Sequence, residues 1–197
     1  MTILSRTGVS DDKDDGVATT NLIPHERGGM RWHIRPNWAS ADVTAGTVFT
    51  LYSLVYNPDA ATNYWSLAYV VGTGWRFRAC CEGTSYDAVV DVPVLASREY
   101  DVAVRWTSDL LGGEWDKPRT LTLQVRRVST QEVLGTTDAS YQPPVYATGA
   151  TFGLGQDTLT TELQFDGYVI EARESPFPPS DAQMLADTFT LAETEVG

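Results

Sequence analysis

The sequence predicts an all-β chain, two antiparallel sheets packed face to face, followed by one short C-terminal helix. Three observations point there. Apolar residues recur at every second position in short runs, the period of a half-buried strand. Gly, Pro, Asn and Asp part those runs at turn spacing. The stretch TFGLGQDTLTTELQFDGYVIEARE, residues 151–174, holds two strand-like runs, Thr151–Leu154 and Leu163–Ala172, around a Thr-rich connection. In the second run Leu163, Phe165, Gly167 and Val169 share one face, and after Gly167 the other face turns apolar through Tyr168, Ile170 and Ala172. A strand apolar on both faces is expected inside a sandwich. A glycine at the change of pattern is expected at a bulge or a close backbone approach.

Taken in order, residues 1–28 read as an N-terminal arm, residues 29–186 as the sandwich, and residues 187–197 as a tail or one extra strand. The arm begins with Ile3 and Leu4, carries the acidic DDKDDG at 11–16 and closes at Gly28-Gly29. That acidic run is not a calcium loop of the twelve-residue type. Counting from Asp11, Lys13 and Leu22 stand where an oxygen acceptor and a bidentate Glu are required. Met30, Trp32 and Ile34 then alternate with Arg31, His33 and Arg35 until Pro36 stops the run. Val48–Tyr56 is apolar on both faces and is expected in the interior of a sheet. Tyr64–Val71, a Gly72-Thr73-Gly74 turn and Trp75–Cys81 form a hairpin, with Trp75, Phe77 and Ala79 inward and Arg76 and Arg78 outward.

Val89–Leu95 reads as an edge or bent segment, because Pro93 removes a ladder donor. Tyr100–Trp106 places Val102, Val104 and Trp106 on the core side, and Leu121, Leu123 and Val125 repeat the alternation. Val133-Leu134 is expected to pair back across RRVSTQ. After Pro143-Pro144 and the closing runs, Ser180 is placed to cap a helix from Asp181 to about Asp187.

The chain has 197 residues, is 42% hydrophobic and carries a formal charge of −12. That is enough to bury one substantial core. The charge opposes nucleic-acid and anionic-membrane partners, which require dense Lys and Arg. No apolar run reaches the length of a membrane span, and the first residues lack the basic-then-apolar pattern of a secretory signal. Cys80 and Cys81 are adjacent, so on a strand they face opposite ways. They read as reduced thiols suited to a reducing cytoplasm.

Residues 30–186 resemble the laminin G-like, concanavalin A-like lectin sandwiches. MRWHIRP and TVFTLYS are similar to that family's early strands, YWSLAYVVGTGWRFRA to its hairpin, and EYDVAVRW to its central strand. LTLQV with EVLGTT, TFGLGQD with FDGYVIEAR, and the PPSDAQML helix follow in the family's order. The resemblance implies a two-sheet antiparallel jelly-roll whose rim loops are available for binding, and it leaves function open. It also implies rim calcium sites held by Asp side chains and backbone carbonyls. Asp116 and Asp157 are the candidate calcium ligands, and no other cofactor is expected.

Glycosidases sharing this sandwich carry Glu-x-Asp-x-x-Glu on a strand. Here Glu99 and Asp101 are followed by Val104, so the third acid is missing and catalysis is not expected. No nucleophile elbow, zinc helix or phosphate loop is present. Trp38 and Trp115, set among loop-forming residues, are candidates for stacking on a sugar or anchoring an interface, or else they cover the core ends. Arg76, Arg78, Arg105 and Arg126 are candidates for a basic stripe facing an acidic neighbour.

The expected function is a non-catalytic structural or adhesion component of an assembled particle, such as a phage capsid decoration, minor capsid or tail protein. It would sit at the virion surface after assembly in the host cytoplasm, contacting neighbouring structural proteins and copies of itself. The alternative is a carbohydrate-binding module recognising a cell-surface glycan. A glycosidase is the remote third reading.

Overall fold

A computed structural model describes residues 4–5, 27–56, 62–107, 119–145, 151–154, 163–175, 180 and 184. Two sheets account for nearly all of them. The strands are β1 (Leu4–Ser5), β2 (Gly28–Pro36), β3 (Val48–Val55), β4 (Tyr64–Val70), β5 (Gly74–Cys81) and β6 (Thr84–Val90). They continue with β7 (Tyr100–Trp106), β8 (Thr120–Arg127), β9 (Glu132–Ser140), β10 (Thr151–Leu154), β11 (Leu163–Gln164) and β12 (Gly167–Ser175). A short 3-10 turn at Ser40–Asp42 links β2 to β3. The first sheet runs β1-β12-β2-β7-β8-β9. The second runs β10-β3-β4-β5-β6, with β11 adding to β3 in parallel beside the antiparallel β10. No helix among the described residues is long and apolar enough to cross a membrane.

The alternating runs become strands because each can turn every second side chain onto the facing sheet. Met30, Trp32 and Ile34 do so from β2, Val102, Val104 and Trp106 from β7, and Leu121, Leu123 and Val125 from β8. The second sheet answers with Trp65, Leu67 and Tyr69 and with Trp75, Phe77 and Ala79. Trp106 reaches across between Trp65, at 5.4 Å between ring centroids, and Phe77, at 6.1 Å. Trp32 meets Tyr52 across the layers at 5.7 Å. Gly28 sits opposite Trp106, and a Cβ there would fall 2.5 Å from the indole. The arm thus gives way to the sheet at a glycine because the ring occupies that space.

β3 is buried along all but its first residue and lies inside its sheet, as its apolar pattern predicts, and a slip in its pairing sets which residues point to the core. Its pairing with β4 slips between Thr50 and Tyr52, so Phe49 and Leu51 point inward before the slip, and Tyr52 and Leu54 after it. The bulge keeps both sets in the core. Leu163–Ala172 is not one strand. It pairs on β3 of the second sheet as β11, crosses through Phe165-Asp166 and joins the first sheet at Gly167 as β12. A Cβ on Gly167 would lie 2.6 Å from the Arg35 carbonyl oxygen and 2.9 Å from Pro36 Cα, so the crossing admits no side chain. β12 stands next to the edge rather than at the centre. Phe165 and Val169 enter the core, while Tyr168 and Ile170 stay partly exposed and Ala172 exposed.

The edge segment expected at Val89–Leu95 starts earlier, as β6 from Thr84, turning back at Glu82-Gly83. Its polar TSYD half faces solvent and masks the apolar signal. On that side the two sheets meet. Thr137 of β9 donates to the Val89 carbonyl at 2.8 Å, and Gly135 makes room for Val90, whose Cγ1 lies 2.5 Å from where a Cβ would be. The arm supplies β1, which pairs Leu4 with Val169 and Ser5 with Tyr168. Of the predicted helix, Ser180 and Met184 are described. The Met184 N–H donates to the Ser180 carbonyl at 2.9 Å, and Met184 is buried against Ala103. The tail beyond residue 187 lies outside the described residues.

Replacing Gly28 by Ala is expected to overpack the indole of Trp106 and cost about 1–3 kcal/mol. A thermal melt followed by far-UV circular dichroism should fall by roughly 2–12 °C. The exposed Val133→Thr should shift it by no more than about 2 °C. An unchanged melt for Gly28→Ala would mean that Trp106 is not seated as described.

Candidate functional site

Because both inner faces are apolar, the polar strand residues are directed to two outer faces that look in opposite directions. On the first sheet Arg31 and His33 of β2, Asp101 and Arg105 of β7, and Thr122, Gln124 and Arg126 of β8 share the outer face. Most of them are buried there. Arg31 and Arg126 both donate to Asp101 Oδ2, at 2.7 and 2.6 Å, with side-chain exposures of 11%, 5% and 4% for Arg31, Arg126 and Asp101. Asp101 Oδ1 is buried without a hydrogen-bond partner. Arg105 Nε donates to Thr122 Oγ1 at 3.2 Å, and that hydroxyl donates to Asp138 at 2.6 Å. His33 Nε2 lies 3.1 Å from Glu99 Oε2. Glu99 and Asp101, the two acids of the truncated glycosidase pattern, are therefore tied to basic partners, and Val104 is in the core.

On the second sheet the outer face has a different character. One cross-strand row runs Ser53, Ser66, Arg78 and Asp87, and the next runs Thr50, Ala68, Arg76 and Val89. Small residues stand on this face at β3 and β4, where Thr50, Ser53, Ser66 and Ala68 are buried, and beside them two partly exposed arginines stand on β5. Arg78 donates to both carboxylate oxygens of Asp87, at 2.6 and 2.7 Å. The bonds to Asp87 raise the affinity of this guanidinium for its proton well above the ordinary arginine value. Burial opposes the rise, and Tyr64 adds to it. The group is a fixed cation, held in one orientation.

The predicted basic stripe is thus divided. Arg76 and Arg78 stand on one outer face, while Arg105 and Arg126 stand on the opposite one and are consumed by internal bonds. The core between the sheets separates them, and a single-sequence reading of outward positions has no means of telling one sheet's outside from the other's. Trp38 is 8% exposed, stacked on Phe49 at 4.1 Å and tilted against Tyr69 at 5.1 Å. It covers an end of the core and presents no face for a sugar. Trp115, Asp116 and Asp157 lie outside the described residues. Among the described residues no group of three His, Cys, Asp or Glu side chains is close enough to hold a metal ion. Tyr64 and Asp87 were not marked by the sequence, since their role depends on cross-strand register. Cys80 and Cys81 are buried free thiols, and burial pushes the Cys81 thiol upward, with Glu82 and Cys80 adding to it.

No protein-family description matches the sequence. No curated protein matches it either. Solved structures with a similar fold include the CBM40 module of Ruminococcus gnavus IT-sialidase bound to α2,3-sialyllactose. It has a TM-score of 0.55 and 13% identity, covering 81% of this chain and 80% of that one. The enzymatically active domain of bacteriophage CBA120 tailspike protein 2 gives a TM-score of 0.59 at 11% identity, over 86% of this chain and 25% of that one. A heptameric SAP-like pentraxin from Limulus polyphemus gives 0.51 at 9%, over 81% and 68%. At such identities the likeness shows the fold alone: a two-sheet jelly-roll sandwich.

Asp101→Ala removes the carboxylate shared by two buried guanidinium groups and is expected to destabilise the chain by about 3–5 kcal/mol in urea unfolding. Arg127→Ala breaks only the exposed pair with Glu132 and should cost less than about 1 kcal/mol. Equal effects would remove the ion triad from the account of the first sheet. The native thiols should not react with a disulfide reagent at pH 8, because burial and a raised Cys81 leave little accessible thiolate. Denaturant should release both, and rapid labelling of the folded chain would contradict their placement.

Proposed function

We propose that this chain is a non-catalytic structural and adhesion module of an assembled particle, of the phage capsid-decoration or tail kind, docking through the outer face around Arg76 and Arg78. The observation that carries it is the contrast between the two outer faces. The first sheet spends Asp101, Arg31 and Arg126 on an internal ion triad. The second keeps Arg76 and Arg78 partly exposed, with Arg78 locked in place by Asp87. A fixed guanidinium beside a second arginine suits a carboxylate-bearing partner and sets orientation more than affinity. The phage tailspike among the structural neighbours supports placement on a virion.

A second reading is carbohydrate binding at the same face. The sialyllactose-bound module among the neighbours favours it, as does the fit of an arginine pair to an acidic sugar.

The full chain and an Arg76→Ala/Arg78→Ala variant are to be compared in co-sedimentation with intact particles from the natural source, and on an array of sialylated, uronic-acid and neutral glycans. The expected result is wild-type protein on particles and a tenfold or greater loss in the variant, on the order of one charged hydrogen bond per arginine. Binding confined to acidic glycans and lost in the variant would select the second reading. Wild-type protein found only free, with no glycan bound, would overturn both.

A further inference from the structure

The side of the sandwich opposite β6 and β9 is closed by short pieces, and the shortest belongs to the arm. β1 covers only Tyr168 and Val169 of the nine-residue β12 and, among the described residues, is the only strand on that edge. Both β1 and β2 are antiparallel to β12, so β1 runs parallel to β2 with β12 between them. Ser5 pairs with Tyr168, which pairs with Arg35, so the chain must return from there to Gly28 at the other end of β2. That return is roughly 23 Å at the rise of a strand. Residues 6–27 are available for it and reach roughly 70 Å when extended. Their middle, DDKDDG at 11–16, has no apolar surface to bury.

The connection is thus several times longer than pairing within one chain requires. The pairing itself is small. Ordering a residue gives up about as much free energy as its backbone hydrogen bond returns. Two residues therefore sit near balance, and the donor of the strand is decided by which β12 has the higher effective concentration of arms around it. Copies held side by side bring a neighbouring arm into competition with the chain's own.

We propose that the N-terminal arm is exchanged between copies of this chain, the Leu4–Ser5 strand of one completing the β12 edge of the next in the register seen here. The inference rests on the docking reading only in requiring copies to lie close together. It makes the partner of this edge a second copy, bound by backbone pairing, whereas the Arg76–Arg78 face takes a different, carboxylate-bearing partner.

Thiol cross-linking tests it. Ser5 and Tyr168 are opposed across an antiparallel pair, within the span a disulfide bridges. The full chain carrying Ser5→Cys is mixed with the full chain carrying Tyr168→Cys, at concentrations up to about 1 mM, oxidised and mapped by peptide mass spectrometry. Any bond between the two introduced thiols then joins two chains, and the buried Cys80 and Cys81 are distinguished by the mapping. Exchange predicts this bond as the main product at high concentration. In the double variant it predicts covalent dimers and larger species that give way to intrachain closure on dilution. Intrachain closure at every concentration, with no bond in the mixed sample, overturns the proposal. So does a failure to cross-link in either arrangement, because the pairing would then be absent. Repeating the mixture with Arg76→Ala/Arg78→Ala should leave the cross-link unchanged, which separates failure of the arm from failure of the docking face.

Discussion

Everything in this molecule depends on an aromatic seam that joins the two sheets. Trp106 comes from the first sheet and lies against Trp65 and Phe77 of the second, Trp32 reaches Tyr52, and Tyr141 closes on Trp65 at 5.5 Å. Each ring removes a large apolar area from water, worth about 1.5–3 kcal/mol, and each offset or edge contact adds about 0.5–1.5 kcal/mol. Rings this size leave no freedom of register. A one-residue slip of β7 would take Trp106 out of the seam and bring Arg105 in. The seam therefore fixes which residues face outward as firmly as it fixes which face inward.

That constraint explains how a chain with few unusual residues acquires two dissimilar surfaces. Alternation on β2, β7 and β8 places Arg31, Asp101 and Arg126 in neighbouring positions of one face, where burial obliges them to pair. Alternation on β3 to β6 places Ser53, Ser66, Arg78 and Asp87 in a row on the other, where Arg78 and Asp87 pair with each other. The first arrangement is a structural use of charge. The second leaves a cation rigid and partly exposed, paired with Asp87 alongside it.

The strands with clean alternation were legible in the sequence. Met30–Pro36, Trp75–Cys81, Tyr100–Trp106 and Leu121–Val125 take their inner face from period two alone, and the core tryptophans Trp75 and Trp106 follow from it. Features set by neighbours were not legible. The slip in β3 is hidden from sequence because the strand is also buried on both faces. The passage from β11 to β12 looks like one strand, although Gly167 marked the place where the backbone crowds. β6 and most of β9 carry polar residues because they lie at edges, and that weakens the very signal used to find them. Trp38 was ambiguous for a related reason. A loop sequence shows that a ring leaves the strand but not whether it turns back, and here stacking on Phe49 returns it to the core. Of the candidate site, Arg76 and Arg78 were legible as outward residues. Their separation from Arg105 and Arg126 required the topology.

The two sides of the sandwich are built on different terms. At β6 and β9 side chains bridge the sheets, with Thr137 on the Val89 carbonyl and Val90 lodged over Gly135. At the other side β3 is flanked by four residues of β10 and two of β11, and β12 by two of β1. Short strands hold an edge loosely, because each ordered residue gives up nearly as much conformational freedom as its hydrogen bonds return. An edge in that state keeps one register while remaining indifferent to which chain supplies the strand. The proposed exchange of the arm therefore concerns the loosely held side alone, while the bridged side keeps the two sheets together.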